Sequence, residues 1–253
     1  GQGDAVRVGL MAVKGLSTNT QTRIIEQRQT APYDSVSDLL ARVHPDENEA
    51  RSLIHAGTLD SFDPAANRPA LRWQLAEWLR TRARKREPAD LFSPSLKETP
   101  TPPLPDEDAL VRLRREFAVL GFLCGTHPMT LFKAVVDRRT KVKVVDLPRY
   151  IGRKVSLAAW LITGKVVHTK KGDPMEFLTF EDETGIVETT WFPDAYRRFC
   201  HMVDRGRPYL LRGRVEQDWG ALTLTVNGAE ILPLAGMQPM QAQGFKVGQE
   251  SHR

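Results

Sequence analysis

Between residues 88 and 105 this 253-residue chain carries six prolines, at 88, 94, 100, 102, 103 and 105. Proline fixes φ and lacks a backbone N–H, so no packed element tolerates that density; the stretch reads as an extended linker or surface arm. A chain interrupted in this way is read in parts. Residues 1–87 show apolar residues at helical spacing, residues 106–152 form a further helical connector, and residues 153–232 fall into short strand-like runs. Residues 233–253 are polar and read as a flexible tail.

The segment 153–232 predicts five strands with one helix inserted: Lys154–Val167, Met175–Glu181, Ile186–Phe192, a helical Pro193–Asp204, Tyr209–Glu216 and Leu222–Val226. Gly164 interrupts the long first run where a bend or bulge fits. Asp182-Glu183-Thr184-Gly185 reads as a hairpin loop, and Pro193 suits the first turn of a helix. Three strands, a helix and two strands match the order of the OB-fold, a five-stranded barrel that binds single strands or oligosaccharides. The expected class is therefore α+β and multidomain, with a helical front half, a proline-rich linker and a five-stranded OB-fold barrel.

The front half carries its own pattern. Gly9-Leu10-Met11-Ala12-Val13-Lys14-Gly15-Leu16-Ser17 precedes a predicted helix from Thr18 to Gln29, and looks like the turn of a helix-hairpin-helix motif. Glycines there let N–H groups and a helix N-terminus face a DNA phosphate, and Ser17 stands where a second glycine is usual. A tight turn that only packs helices is the alternative. Ser35 and Asp38 have capping-box spacing before a helix Val36–Val43, and Asp46 and Glu49 repeat it before a helix closing at Gly57. Asn67 and Pro69 open a helix with a stripe of Leu71, Leu75, Trp78 and Leu79, ending in Arg80, Arg82, Arg84, Lys85 and Arg86. Those cations suit either a solvated helix C-terminus or a phosphate-contacting strip. In the connector, Asp106 opens a helix with Leu110, Leu113 and Phe117 on one face.

Several phrases sharpen this reading: Lys171-Gly172-Asp173-Pro174-Met175-Glu176-Phe177, Phe180-Glu181-Asp182-Glu183-Thr184-Gly185, Phe192-Pro193-Asp194-Ala195-Tyr196 and Pro208-Tyr209-Leu210-Leu211-Arg212-Gly213-Arg214-Val215. They resemble the OB domain of the bacterial DNA polymerase III alpha subunit, a C-family polymerase. Leu53-Ile54-His55-Ala56-Gly57-Thr58-Leu59-Asp60 and Thr126-His127-Pro128-Met129 are similar to the same family upstream. The resemblance implies the C-terminal portion of such an enzyme. With only about twenty residues after Leu232, it also points to the shorter error-prone paralogue, and a chain opening at Gly1 suggests a cut piece. The parent is a DNA-directed DNA polymerase, a nucleotidyltransferase of replication or repair, whose Mg²⁺ belongs to a palm domain that this piece lacks. The implied partners are primer-template duplex, single-stranded template and other replisome or translesion proteins, in the bacterial cytoplasm.

No catalytic residues and no cofactor are expected in the piece itself. Glu181-Asp182-Glu183 is the densest carboxylate group, but alternation sends neighbours to opposite faces of an exposed turn. There is no phosphate-binding GxxxxGK[ST] loop and no nucleophile elbow. Cys124 and Cys200 make no metal spacing, and no second ligand lies at a metal spacing from His55. No apolar run approaches the ~20 residues of a membrane span.

Net charge is +5, yet residues 153–232 hold 11 Lys/Arg against 11 Asp/Glu, so contact with nucleic acid there must come from local patches and stacking. The candidates are Lys14, Gly15, Ser17, Arg80 and Arg84 for duplex phosphates. On the barrel they are Lys165, Lys170, Lys171 and Arg214 for phosphates, with Phe177, Trp191 and Trp219 as stacking platforms. Phe177 and Phe180 have opposite parity, so one of them is core, and Trp191 is core or platform. A free-standing single-strand-binding protein and a protein-interaction module are the alternative functions.

Overall fold

The computed structural model describes residues 8–62, 67–84, 101–218 and 220–233. The chain divides into two units between Pro128 and Met129. Among the described residues, no helix is long and apolar enough to cross a membrane.

The first unit contains α1 (Thr18–Thr30), α2 (Val36–Val43), α3 (Glu47–His55), α4 (Arg68–Arg84) and α5 (Ala109–Leu120). Each start is written locally. Ser35 Oγ accepts from Asp38 N (3.1 Å), Asp46 Oδ1 from Glu49 N (2.8 Å) and Asn67 Oδ1 from Ala70 N (2.9 Å). These bonds satisfy N–H groups that the first helical turn leaves unpaired. Leu39, Leu40, Val43, Leu53, Ile54, Leu71 and Leu75 then close one core with Leu120. Each fully buried leucine is worth about 1.5–3 kcal/mol.

Two expectations for this region are corrected. Helix α5 starts at Ala109, capped by Asp108 rather than opened by Asp106, because Asp108 Oδ1 takes the N–H groups of Leu110 (2.9 Å) and Val111 (3.2 Å). Its buried residues are Glu116 and Leu120, while Leu110 is exposed. The stretch 88–105 also does not separate the two units. Asn67 Nδ2 donates to Leu104 O (2.7 Å), and α5 returns so that Lys14 N donates to Val119 O (2.8 Å). Both described flanks of the proline-rich stretch thus belong to the helical unit. Residues 85–100, including Lys85 and Arg86, lie outside the described residues, as does the tail from residue 234.

The second unit, from Met129, takes in all but the first residue of a 3₁₀ turn Pro128–Phe132, then α6 (Lys133–Arg139) and a 3₁₀ segment Val144–Tyr150. It continues as β1 (Lys154–His168), β2 (Pro174–Asp182), β3 (Gly185–Trp191), α7 (Pro193–Phe199), β4 (Pro208–Asp218) and β5 (Ala221–Ile231). The strands close a barrel in the order β1-β2-β3-β5-β4, antiparallel except for the β3–β5 pair. Leu157, Leu178, Phe180, Trp191, Tyr209, Leu211, Val215 and Leu224 fill it. Tyr209 keeps its hydroxyl satisfied, donating to Met202 O (2.9 Å) and accepting from Asp204 N (2.7 Å).

The bend in β1 falls between Leu161 and Thr163, just ahead of Gly164. Gly164 has a separate reason to lack a side chain: a Cβ there would collide with Leu178 Cδ2, which is in the core. The turn after β2 is tied by Asp182, whose Oδ1 accepts from Thr184 N (2.7 Å) and whose Oδ2 accepts from Val144 N (2.9 Å). That central carboxylate of the Glu181-Asp182-Glu183 run is 4 % exposed and serves the turn.

Candidate nucleic-acid interface

On the barrel, register decides what parity left open. Leu178 and Phe180 point inward, so Phe177 points outward and is 43 % exposed. Lys165 on β1 and Thr190 on β3 stand directly opposite it on either side. Cross-strand partners have Cβ atoms about 4.5–5.5 Å apart, so a cation flanks an exposed ring. The row continues from Thr190 to Thr225 on β5, then to Arg214 on β4 and Lys154 at the start of β1. Arg214 is therefore three strands from Phe177, about 14 Å along the sheet, and its Nη1 donates to Gly152 O (2.6 Å). It is exposed, but it does not adjoin the Phe177–Lys165 pair.

Trp191 is core. It is fully buried, its Nε1 donates to Thr189 Oγ1 (2.8 Å), and it meets Phe199 edge to face at 6.1 Å. A ring enclosed in this way offers no face to a base, so its candidacy as a platform is withdrawn. Trp219 lies outside the described residues.

The loop joining β1 to β2 carries Lys170 and Lys171, both exposed and, among the described residues, in no ion pair. Its shape is set by Thr169. Thr169 N donates to Asp173 O (2.8 Å), Gly172 N to Thr169 O (2.9 Å) and Asp173 N to Thr169 Oγ1 (3.2 Å), while Gly172 takes φ +86°. Sequence reasoning missed the neighbouring outward row, in which Thr163, Thr179, Glu188, Thr223 and Glu216 face one another across five strands. Its two carboxylates, Glu188 and Glu216, bound the basic strip on one side.

In the helical unit, Gly15 takes φ +80°, which a side chain would strain, and Ser17 caps α1. Lys14 is exposed, with its Nζ 3.4 Å from where a Cβ on Gly121 would sit, at the C-terminus of α5. Ser17, however, is not a free phosphate ligand. Its N–H (3.0 Å) and its hydroxyl (2.6 Å) both donate to Glu49 Oε1. Thr20 Oγ1 (2.8 Å) and Asp46 N (3.0 Å) donate to Glu49 Oε2. Burial alone would raise this carboxyl, which is 5 % exposed, but the hydrogen bonds from Ser17, Asp46 and Thr20 outweigh it and hold the group below its ordinary value. No sequence signal joins residues 32 positions apart; Glu49 shows locally only as the partner of Asp46.

The second glycine turn of this unit is closed internally as well. Gly57 takes φ +74°, and Arg68 fills the space beside it. Arg68 Nη1 donates to His55 O (3.0 Å) and Nη2 to Asp60 Oδ2 (2.9 Å). Burial, with Arg115, Arg72, Arg51 and Arg68 nearby, lowers His55 to about 4, so its ring is neutral near pH 7. At the end of α4, Arg80 is exposed and pairs with Glu77 (2.6 Å), and Arg82 lies over the Trp78 ring at 5.1 Å. The Arg84 side chain lies outside the described residues.

Known proteins extend this picture. The helix-hairpin-helix motif family matches residues 1–71, and an OB-fold nucleic acid binding domain family matches residues 160–232. An error-prone DNA polymerase of Anaeromyxobacter dehalogenans (strain 2CP-C) is 31 % identical over 249 residues, which is 97 % of this chain and 21 % of that protein. The DNA polymerase III subunit alpha of Bacillus subtilis (strain 168) is 26 % identical over 269 residues, 98 % of this chain and 23 % of that protein. The chain is homologous to a segment of these polymerases. It spans about a fifth of their length. Among solved structures, the second OB-fold domain of replication protein A from Methanococcus maripaludis has 23 % identity and a TM-score of 0.26, covering 32 % of this chain and 86 % of that domain. The chain thus joins a helix-hairpin-helix region to an OB-fold barrel of a nucleic-acid-binding family.

Proposed function

We propose that this chain is the C-terminal DNA-binding portion of a polymerase III alpha-like enzyme of the error-prone kind. Its barrel holds single-stranded template, and its helical unit lies on duplex phosphates. The observation that carries the reading is the exposed Phe177 with Lys165 directly opposite, on a barrel whose first loop presents Lys170 and Lys171. An aromatic face stacks any base, and cations beside it take the backbone, so binding is expected to tolerate sequence and to weaken with salt. Duplex contact is assigned to the side chains of Lys14, beside the Gly15 turn, and of the exposed Arg80 at the end of α4. Nucleotidyl transfer and its Mg²⁺ are assigned to the rest of the parent polymerase, which would work in the bacterial cytoplasm beside other replication or translesion proteins.

Fluorescence anisotropy with single-stranded, duplex and junction probes tests the reading. Two linked modest sites should bind a junction more tightly than either simple probe. Single-strand affinity that is independent of salt would sink the proposal, and so would affinity indifferent to Phe177→Ala. The isolated chain is also expected to extend no primer in Mg²⁺. Extension that follows the chain through successive columns would overturn that assignment.

A further inference from the structure

The first hairpin presents the arrangement by which proteins seat a phosphate: a glycine turn, then a helix of 13 residues with a hydroxyl cap. That seat already holds an anion. Glu49 reaches it from the next-but-one helix, is 5 % exposed, and receives two bonds from Ser17, one from Thr20 and one from Asp46 N. A phosphate oxygen arriving at Ser17 would meet a carboxylate oxygen in the same place, with its charge repelling it. We propose that Glu49 is a built-in phosphate mimic at the Ser17 cap of α1, so that the Ser17 N–H and the hydroxyls of Ser17 and Thr20 contribute packing rather than a grip on DNA phosphate. The helical unit then meets a duplex only through side chains outside the seat, such as Lys14 and Arg80. The inference rests on the duplex-binding reading for one of its readouts only.

Two variants separate charge from occupancy. Glu49→Ala vacates the seat. Glu49→Gln refills it with a neutral amide and keeps the capping-box role towards Asp46, which glutamine also performs. On a duplex probe, Glu49→Ala should bind about two- to fivefold more tightly. Its logarithmic salt slope should steepen by about 0.9, one added phosphate, while Glu49→Gln keeps the wild-type slope. Ser17→Gly, which costs a helix cap only a few tenths of a kcal/mol, should leave duplex affinity unchanged because Glu49 still occupies the place. A tighter Ser17→Gly protein overturns the proposal, even if Glu49→Ala fails to fold. A folded Glu49→Ala protein with wild-type affinity and slope overturns it too. Inorganic phosphate gives a readout without DNA: against chloride of equal ionic strength, it should raise the melting temperature of Glu49→Ala and not of wild type. If no protein binds duplex but phosphate still stabilises only Glu49→Ala, the duplex reading fails and the occupied seat stands.

Discussion

At the start of α1, the Ser17 N–H and the hydroxyls of Ser17 and Thr20 already point at Glu49; on the barrel, Phe177, Lys165, Lys170 and Lys171 point at solvent. Both regions carry the local marks of nucleic-acid contact, a glycine turn in one and an aromatic flanked by cations in the other. They differ in whether the fold has already used those groups. A motif reports which chemistry is present. Only the tertiary partners report whether it is available to a ligand.

The sharpest way to break this contrast is within the barrel, between two aromatics 14 positions apart. Trp191→Ala removes a fully buried indole together with its bond to Thr189, and should cost about 3–5 kcal/mol of barrel stability in urea unfolding. Wild-type stability would return Trp191 to the list of platforms. Phe177→Ala should do the reverse, losing about 1–3 kcal/mol of single-strand affinity by anisotropy with little change in the urea midpoint. Equal losses of stability in the two variants would erase the distinction drawn from register.

A smaller effect is expected at the first loop. Replacing Lys170 and Lys171 by alanine should flatten the salt slope for a single strand by about 0.7 per lost contact and leave duplex binding nearly unchanged. Parallel losses on both probes would mean that the loop is not specific to the barrel's ligand. The smallest effect is a pH dependence in the helical unit. The folded-state value of Glu49 is depressed, so the stabilisation is present above its unfolded value, near pH 4.3, and is lost as pH falls through the folded value. Glu49→Gln should be less stable than wild type at pH 7, with the gap closing in acid. A gap that is constant with pH would remove the carboxylate from the account.

How much of this was legible in the sequence follows the distance between partners. Helix α2 was read to its termini because Ser35 and Asp38 lie three residues apart, and the turn Asp182–Gly185 because its ties are equally local. The order of strands and helix in the barrel was legible for the same reason. Whether Phe177 or Trp191 faced water was not, since the answer depends on Glu176 opposing Trp191 across two strands. The proline-rich stretch was misread as the division between units because nothing local shows Lys14 N meeting Val119 O. Glu49 was legible as a cap for α3 and illegible as the group that fills the seat of α1.

The turn tied by Thr169 has a kinetic consequence. A loop already folded before its ligand arrives gives up little freedom on binding, so Lys170 and Lys171 can draw in a strand without first being ordered. Exposed cations of this kind govern how often an encounter succeeds, whereas a stacked ring governs how long the complex lasts. Lysines and phenylalanine should therefore divide the binding constant between them, the loop setting arrival and Phe177 setting residence. A barrel built this way would set the rate at which it captures a single strand separately from the time for which it holds one.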